Sequence, residues 1–593
     1  MNKLTIAPKL QSVILVTCCL LLCVGTPVLA QRNAVEAKHG VVTSAHVLAS
    51  EAGLEILKKG GNAVDAAIAT GFALEVVYPF AGNLGGGGFM MIHTANGKDT
   101  AVDYREKAPS ASSRDMYLGK DGKPTKGAGS STVGWRASGV PGSVAGFALA
   151  FEKYGSGKVT WAEIIEPSRR LAANGHRVSQ ATANAFHRMH TDQLLGQFPE
   201  SKHIYLKDGA FLKAGENWIQ SDLAATLERI QKQGPREFYE GQTAHLIADA
   251  MAKNGGTISL EDLKAYQAVE RVPLRGTYRG YEVVTMPPPS SGGIAILQML
   301  QMLEKYDVTK MGANSSAKDH LFIEVMRRAF RDRAAYLGDP DYVKVPVVGL
   351  LDTHYVQSLM ANYDPNHASM SKGFKAGKPA GWEAVPVTPA GHESNETTQF
   401  TVVDAAGAAV SNTYTLNGGF GSGVTIPGTG LLMNNEMDDF AAQPGTPNMF
   451  GLIQGEANAI APGKRPLSSM TPTFVFKDSK LFLATGSPGG PTIINTVLEV
   501  ITNVIDHGMP VQQAVEAPRF HHQWMPDLIT FERYGLSPDT EKILAAMGHK
   551  ITAHANFEGA YQGDGESVMI DPKTHLILGA ADPRKDDSKA VGY

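Results

Sequence analysis

The chain predicts a mixed α/β fold, and three observations carry that reading. Apolar residues recur at helical spacing through much of the first part of the chain. Apolar and polar residues alternate strand-fashion after Thr397. Between the two, residues 371–396 hold four glycines and three prolines in 26 positions and keep no periodicity. The chain therefore divides naturally into 31–396 and 397–593.

The elements follow in order. Residues 1–30 read as a secretory signal: Lys3 and Lys9 open it, Val13 to Val24 is apolar, and Val28-Leu-Ala30 is a small-residue cleavage site. Its apolar run is shorter than the ~20 residues a membrane span needs. Export follows, with the periplasm as the expected destination. Cys18, Cys19 and Cys23 all lie in this leader, so the rest of the chain has no disulfide and depends on a large core. A composition of 43% hydrophobic and 19% charged residues can supply one.

From about Ser50 to Val77 two helices are expected. Gly60-Gly61 ends the first and Asn62 caps the second. Phe89–His93 and Thr100–Tyr104 read as a hairpin turning at Ala95-Asn-Gly97. Trp161 to Met311 reads as mostly helical, and Lys318 to Leu337 as a long arginine-rich helix. Residues 371–396 form a loop or tail, the kind of irregular segment that is usually functional. A net charge of −4 spread over 593 residues argues against a nucleic-acid partner. No segment after the leader has eighteen uninterrupted apolar residues, so no membrane span is expected.

The segment Glu393-Ser-Asn-Glu-Thr-Thr-Gln-Phe-Thr-Val-Val-Asp404 is the most informative in chemical terms. Thr397, Gln399, Thr401 and Val403 share one face of a strand; Thr398, Phe400 and Val402 share the other. If the Glu396–Thr397 bond is cut, the new α-amine can serve as base for the Thr397 hydroxyl, since such amines titrate near ~7.7–8.0. The plainer reading is a strand that begins with two threonines. A three-residue turn with Gly407 left-handed sets Asp404 opposite Ala408, and the same register places Thr415 opposite Thr397.

Other groups also have two readings. Asn434-Asn-Glu-Met-Asp-Asp-Phe440 is either a solvated acidic turn or a pocket for an ammonium group. Gly486-Ser-Pro-Gly-Gly490 is either a turn that needs glycine dihedrals or a set of N–H groups for an oxyanion. Arg105 at the end of its strand is either a surface ion pair or a carboxylate clamp. Lys464-Arg-Pro-Leu-Ser-Ser469 sets paired hydroxyls after a basic loop. Gly85–Gly88 lacks the following Gly-Lys-Ser/Thr of a phosphate loop, and the adjacent His521 and His522 point apart on a strand, a poor metal pair.

In order and together, these motifs resemble the γ-glutamyltransferase family. The likeness extends from Asn83–Phe89 through Thr397-Thr398, Tyr414–Asn417, Asn434–Phe440, Arg465–Ser469, Gly486–Gly490 and Ala517–His522 to Ala581–Arg584. The resemblance implies a four-layer αββα sandwich of the N-terminal-nucleophile hydrolase type. It also implies a precursor that cuts itself between Glu396 and Thr397 into a large and a small fragment, which together form one αββα unit. Thr397 is then nucleophile for processing and for turnover of a γ-glutamyl donor such as glutathione, with water, an amino acid or a peptide as acceptor. Thr415 assists it, and Gly489 and Gly490 hold the oxyanion. Arg105, Ser468 and Ser469 match the binders of the donor's α-carboxylate; Asn417, Glu436 and Asp439 match those of its α-ammonium. No metal and no organic cofactor is implied.

Two positions depart from the family pattern. Gln399 stands where many members have histidine. In the lid-like segment Gln443–Gly451, Phe450 replaces an expected tyrosine. Within the fold the rival reading is a cephalosporin (glutaryl) acylase; outside it, a secreted binding protein without turnover. Glutaryl has no ammonium, so an intact Asn417/Glu436/Asp439 set favours glutamyl.

Overall fold

Two seven-stranded sheets form the centre of the computed structural model, which describes residues 32–187, 191–382, 397–446, 448–449, 452–553 and 562–593. The predicted leader, Glu396 and Phe450 lie outside these residues. Before the 371–396 segment the sheet strands are β1 (Val35–Ala37), β2 (Gly40–Ser44), β3 (Gly87–His93), β4 (Asp99–Asp103), β5 (Val269–Arg271), β6 (Leu274–Tyr278) and β7 (Tyr281–Thr285). After it come β8 (Thr398–Asp404), β9 (Ala409–Thr415), β10 (Thr473–Lys477), β11 (Lys480–Thr485), β12 (Ser567–Ile570), β13 (Ile577–Ala580) and β14 (Lys589–Gly592). One sheet runs β14-β2-β8-β9-β3-β4-β5 and the other β1-β13-β12-β11-β10-β7-β6. Each mixes strands from both parts of the chain. Ala34–Tyr593 cluster as one compact unit.

Side-chain alternation sorts the residues into layers. Phe400 and Val402 on β8 face away from the second sheet. With Val42, Met90 and Ile92 they pack against the helices α1 (Val47–Lys58) and α2 (Ala63–Val77). Val403, one position on, joins Val41, Phe89, Phe474 and Val568 between the two sheets. On the outer face of the second sheet, Val283, Val475 and Leu483 meet α3 (Gly292–Leu303), α4 (Ser316–Tyr336) and α5 (Thr492–Ile505). Helix, sheet, sheet, helix is the αββα order the resemblance implies.

Local chemistry explains the elements around the site. Asn62 caps α2 by accepting from the N–H groups of Val64 and Asp65, and Asp65 accepts from Asn62 N–H in return. The β8–β9 turn has Gly407 at φ 81°, and Asp404 N–H donates to Ala408 O at 3.0 Å. Thr398 then pairs with Tyr414 and Val403 with Ala409, the predicted register.

The mostly helical reading of 161–311 holds, but β5, β6 and β7 also lie inside it and were not foreseen. Tyr281–Thr285 is a strand because Glu282 to Thr285 pair with Phe476 to Thr473, nearly two hundred residues away. Such a partner leaves no trace in local periodicity. Among the described residues no helix is long and apolar enough to cross a membrane.

Candidate active site

Thr397 stands immediately before β8, a central strand of its sheet, and is 6% exposed. Its hydroxyl donates to Thr415 Oγ1 at 3.3 Å, and Thr415 Oγ1 also accepts from Asn417 N–H at 2.8 Å. Asn417 takes the left-handed conformation at φ 77°, which asparagine tolerates better than most side chains. Its amide donates to Asn435 O at 3.0 Å. Thr398, on the opposite face, takes no part in this pair.

A narrow cavity opens on Thr397 and is lined among others by Thr415, Arg105, Glu436, Ser469 and Gly490. Nine of the ten predicted catalytic and substrate-binding residues line it. The tenth, Gly489, sits one residue before Gly490. The turn carrying these glycines leaves β11 and leads into α5, with Gly489 at φ 125° and Gly490 at φ 55°. Both values lie where a side chain would strain the backbone. Among the described residues neither glycine N–H has a hydrogen-bond acceptor, so both remain available to a developing oxyanion.

Arg105 is wholly buried. Its guanidinium donates to Pro466 O and Leu467 O, both at 3.3 Å, and forms ion pairs with Glu436 and Asp439, with Glu106 3.5 Å away. One cation thus faces three carboxylates. No oxygen of Glu436 or Glu106 has a hydrogen-bond donor of good geometry among the described residues. Burial opposes the Arg105 charge, but Glu436, Asp439 and Glu106 hold the guanidinium above its ordinary range. Burial pushes the Glu436 and Glu106 carboxyls up, with Arg105 opposing. An additional cation entering this cluster would favour ionisation of the raised carboxyls, so three carboxyl groups facing one guanidinium suit a cationic ligand.

Four contributors escaped the sequence reading. Glu106 adjoins Arg105, and adjacency was its only signal. Asn448 Nδ2 donates to Asp439 Oδ1 at 3.3 Å, and Met449 Sδ lies 3.7 Å from Asn417 Nδ2, both from the lid-like segment. Arg333 reaches the cavity from α4 and had no signal beyond its helix being arginine-rich.

Gln399 fills its site with uncharged hydrogen bonds. Its carbonyl accepts from Thr413 Oγ1 at 2.5 Å, and its amide donates to Ser411 Oγ and Phe400 O, both at 3.0 Å. A Cβ on Gly486 would overlap this amide, so Gln399 packs directly beneath the glycine turn.

Elsewhere, His320, Glu324 and His549 bring possible ligand atoms within 4.8 Å of one another. Glu324 is already held by Arg327 and Arg328, and His320 Nδ1 meets His549 Nε2 at 2.7 Å. Burial pushes His549 down to about 3. The two histidines form a hydrogen-bonded pair in the core, and Glu324 belongs to the arginine network beside it. His521 and His522 take different partners, Asn495 and Asp527.

Stacked sheets between helix layers, with a threonine leading a central strand toward a second hydroxyl and free N–H groups, are the mark of an N-terminal-nucleophile hydrolase. A family model for gamma-glutamyltranspeptidase matches residues 49–592. The glutathione hydrolase proenzyme of Escherichia coli (strain K12) is 47% identical over 559 residues, 94% of this chain and 93% of that protein. Among solved structures, cephalosporin acylase from Bacillus halodurans matches with a TM-score of 0.82 at 28% identity, over 96% of this chain and 98% of that one. Gamma-glutamyltranspeptidase of Helicobacter pylori is 41% identical with a TM-score of 0.54, over 56% of this chain and 93% of that one. The chain belongs to the γ-glutamyltranspeptidase family.

Proposed function

We propose that the chain is an exported, self-processing γ-glutamyltransferase and glutathione hydrolase, cut between Glu396 and Thr397 into fragments 31–396 and 397–593. The observation that carries the substrate assignment is the carboxylate surplus of Glu106, Glu436 and Asp439 around Arg105, in the cavity that opens on Thr397. A γ-glutamyl group supplies the ammonium that this surplus favours, and its α-carboxylate fits the Ser468–Ser469 side. Glutathione is the expected donor, as the name of the Escherichia coli relative also suggests.

In turnover, the Thr397 α-amine takes the proton from Oγ1 as Oγ1 bonds to the γ-carbonyl carbon. The carbonyl oxygen gains negative charge opposite Gly489 and Gly490 N–H. The amide C–N bond then breaks, and the leaving amine departs with the proton. An ester on Thr397 remains. Water resolves it to glutamate, or the amine of an amino acid or peptide resolves it to a new γ-glutamyl amide. Each route returns a proton to Oγ1. Thr415 orients the hydroxyl. The leader-like residues 1–30 support export, to the periplasm or the outside medium.

Intact mass and N-terminal sequencing of the purified protein test this reading. The expected products are two fragments, the smaller beginning Thr397-Thr-Gln-Phe, with Thr397→Ala remaining one inactive chain. A wild-type chain that persists uncut and binds glutamate without cleaving donors would favour the binding-protein reading instead. The structural likeness to a cephalosporin acylase keeps a second comparison useful. The enzyme should cleave γ-glutamyl amides much faster than glutaryl amides, and the reverse order would reassign the acyl group.

A further inference from the structure

The Arg105 guanidinium is the expected partner of the donor's α-carboxylate, yet it is already engaged. Three carboxylates surround it, and two of its nitrogens are committed to Pro466 O and Leu467 O. A second guanidinium reaches the same cavity from the opposite part of the fold. Arg333, near the end of α4, lines the cavity beside Thr397, Ser468 and Ser469 and is 2% exposed.

Its bonds lead to the serine pair. Arg333 Nη2 donates to Ser469 Oγ at 3.3 Å, and Nε donates to Ser291 Oγ at 2.9 Å. Ser291 in turn donates to Ser468 O through both its N–H and its hydroxyl, each at 2.7 Å. Ser290 Oγ donates to Met470 O at 2.6 Å, so residues 468–470 are clasped from the α3 entrance on one side and by α4 on the other. With its oxygen accepting from Arg333, Ser469 is oriented to point its own hydroxyl proton elsewhere, and an anion in the cavity is the fitting acceptor.

We infer that Arg333 is a positioning and specificity-determining residue for the donor's α-carboxylate, acting through Ser469 and through the charge of its own guanidinium at the cavity wall. The inference rests on the γ-glutamyl reading above and deepens it. It divides the recognition between two arginines. Arg105 remains a partner of the carboxylate while its neighbours Glu436 and Asp439 receive the ammonium, and Arg333 braces the Ser468–Ser469 side of the carboxylate. A planar, permanently charged fork suits that second task better than an ammonium does.

The test compares two donors on the processed enzyme: a γ-glutamyl anilide, and the same anilide with its α-carboxylate replaced by a carboxamide. Arg333→Gln should raise KM for the acid donor about 10- to 100-fold, the range of one charge-assisted hydrogen bond, with little change in kcat. The carboxamide donor should lose less than about twofold, because the interaction being removed was already absent from it. Arg333→Lys should recover part of the acid donor's KM. An equal penalty on both donors would show that Arg333 only supports the fold and would overturn the inference while leaving the γ-glutamyl reading intact. A wild-type enzyme indifferent to the α-carboxylate would overturn both. If Arg333→Gln fails to fold, the acid-to-carboxamide KM ratio of Arg333→Lys decides, and a wild-type ratio there counts against the inference.

Discussion

Two buried arginine groups in this molecule are treated in opposite ways. On α4, a helix buried on every side from Lys318 to Tyr336, the guanidiniums of Arg327 and Arg328 are matched by acceptors. Arg328 uses all three nitrogens: Nε to Leu359 O at 2.7 Å, Nη1 to Glu324 Oε2 at 2.5 Å, and Nη2 to Asn362 Oδ1 at 2.9 Å. Arg327 meets Ser371, Asp527 and Glu324, and Arg331 Nε donates to Phe374 O at 3.1 Å. The partners advance along the chain in step with the helix, from Asp364 O at His320 to Gly377, whose N–H donates to Asp332 and whose carbonyl accepts from Tyr336. Around Arg105 the proportions are reversed, with three carboxylates for one cation and four carboxylate oxygens without a well-placed donor. Full satisfaction marks structure; a buried mismatch beside the candidate nucleophile marks a place prepared for a ligand.

That contrast predicts where each substitution acts. The largest effect should come from Arg328→Ala. It leaves the Glu324 carboxylate buried without its closest guanidinium and the carbonyl of Leu359 without a donor, a loss of about 3–5 kcal/mol. Thermal unfolding in a Thr397→Ala background, where the chain stays whole, reads it directly. A melting temperature equal to the parent's would erase the structural half of the contrast. Arg105→Lys should behave differently. It keeps the charge and loses the fork, so stability changes little while KM for a γ-glutamyl donor rises about tenfold or more. A large fall in melting temperature with unchanged KM would make the Arg105 cluster structural as well.

The two regions also differ in how much of them the sequence discloses. The β8–β9 hairpin is local: Gly407 fixes the turn, period-2 alternation fixes the faces, and the Thr397–Thr415 meeting follows from both. The glycine turn at 486–490 is equally local. Arg105 and the 434–440 run are more than three hundred residues apart, and their residue types alone permit a surface pair and a solvated turn. Only the resemblance joined them, as binders of the two ends of one glutamyl group, and the fold sets them in direct contact. β7 was hidden because its partner β10 is distant. The aperiodic stretch around 364–377 gave no sign that α4 holds it, since backbone carbonyls accept the same bonds whatever side chains they carry. Arg333 was hidden for a related reason: nothing in a run of buried helical arginines distinguishes the one that reaches a cavity.

The mildest and most discriminating change is Glu436→Gln, which removes one ionisable carboxyl from the cluster. Because burial raises the folded-state pKa of Glu436 above its ordinary value of 4.5, the native state holds this proton more tightly than the unfolded chain does. The favourable contribution is therefore complete below pH 4.5 and is lost as pH rises above it, as the unfolded chain ionises first. Glutamine escapes that loss. Melting temperatures of variant and parent should coincide near pH 4 and separate by about 2 °C in the variant's favour at pH 7. Donor KM should rise over the same range, because glutamine cannot ionise to meet the ammonium when the donor binds. Stability gained with affinity lost would identify the mismatch as functional. A variant less stable at pH 7, with KM unchanged, would mean that Glu436 serves Arg105 and nothing else.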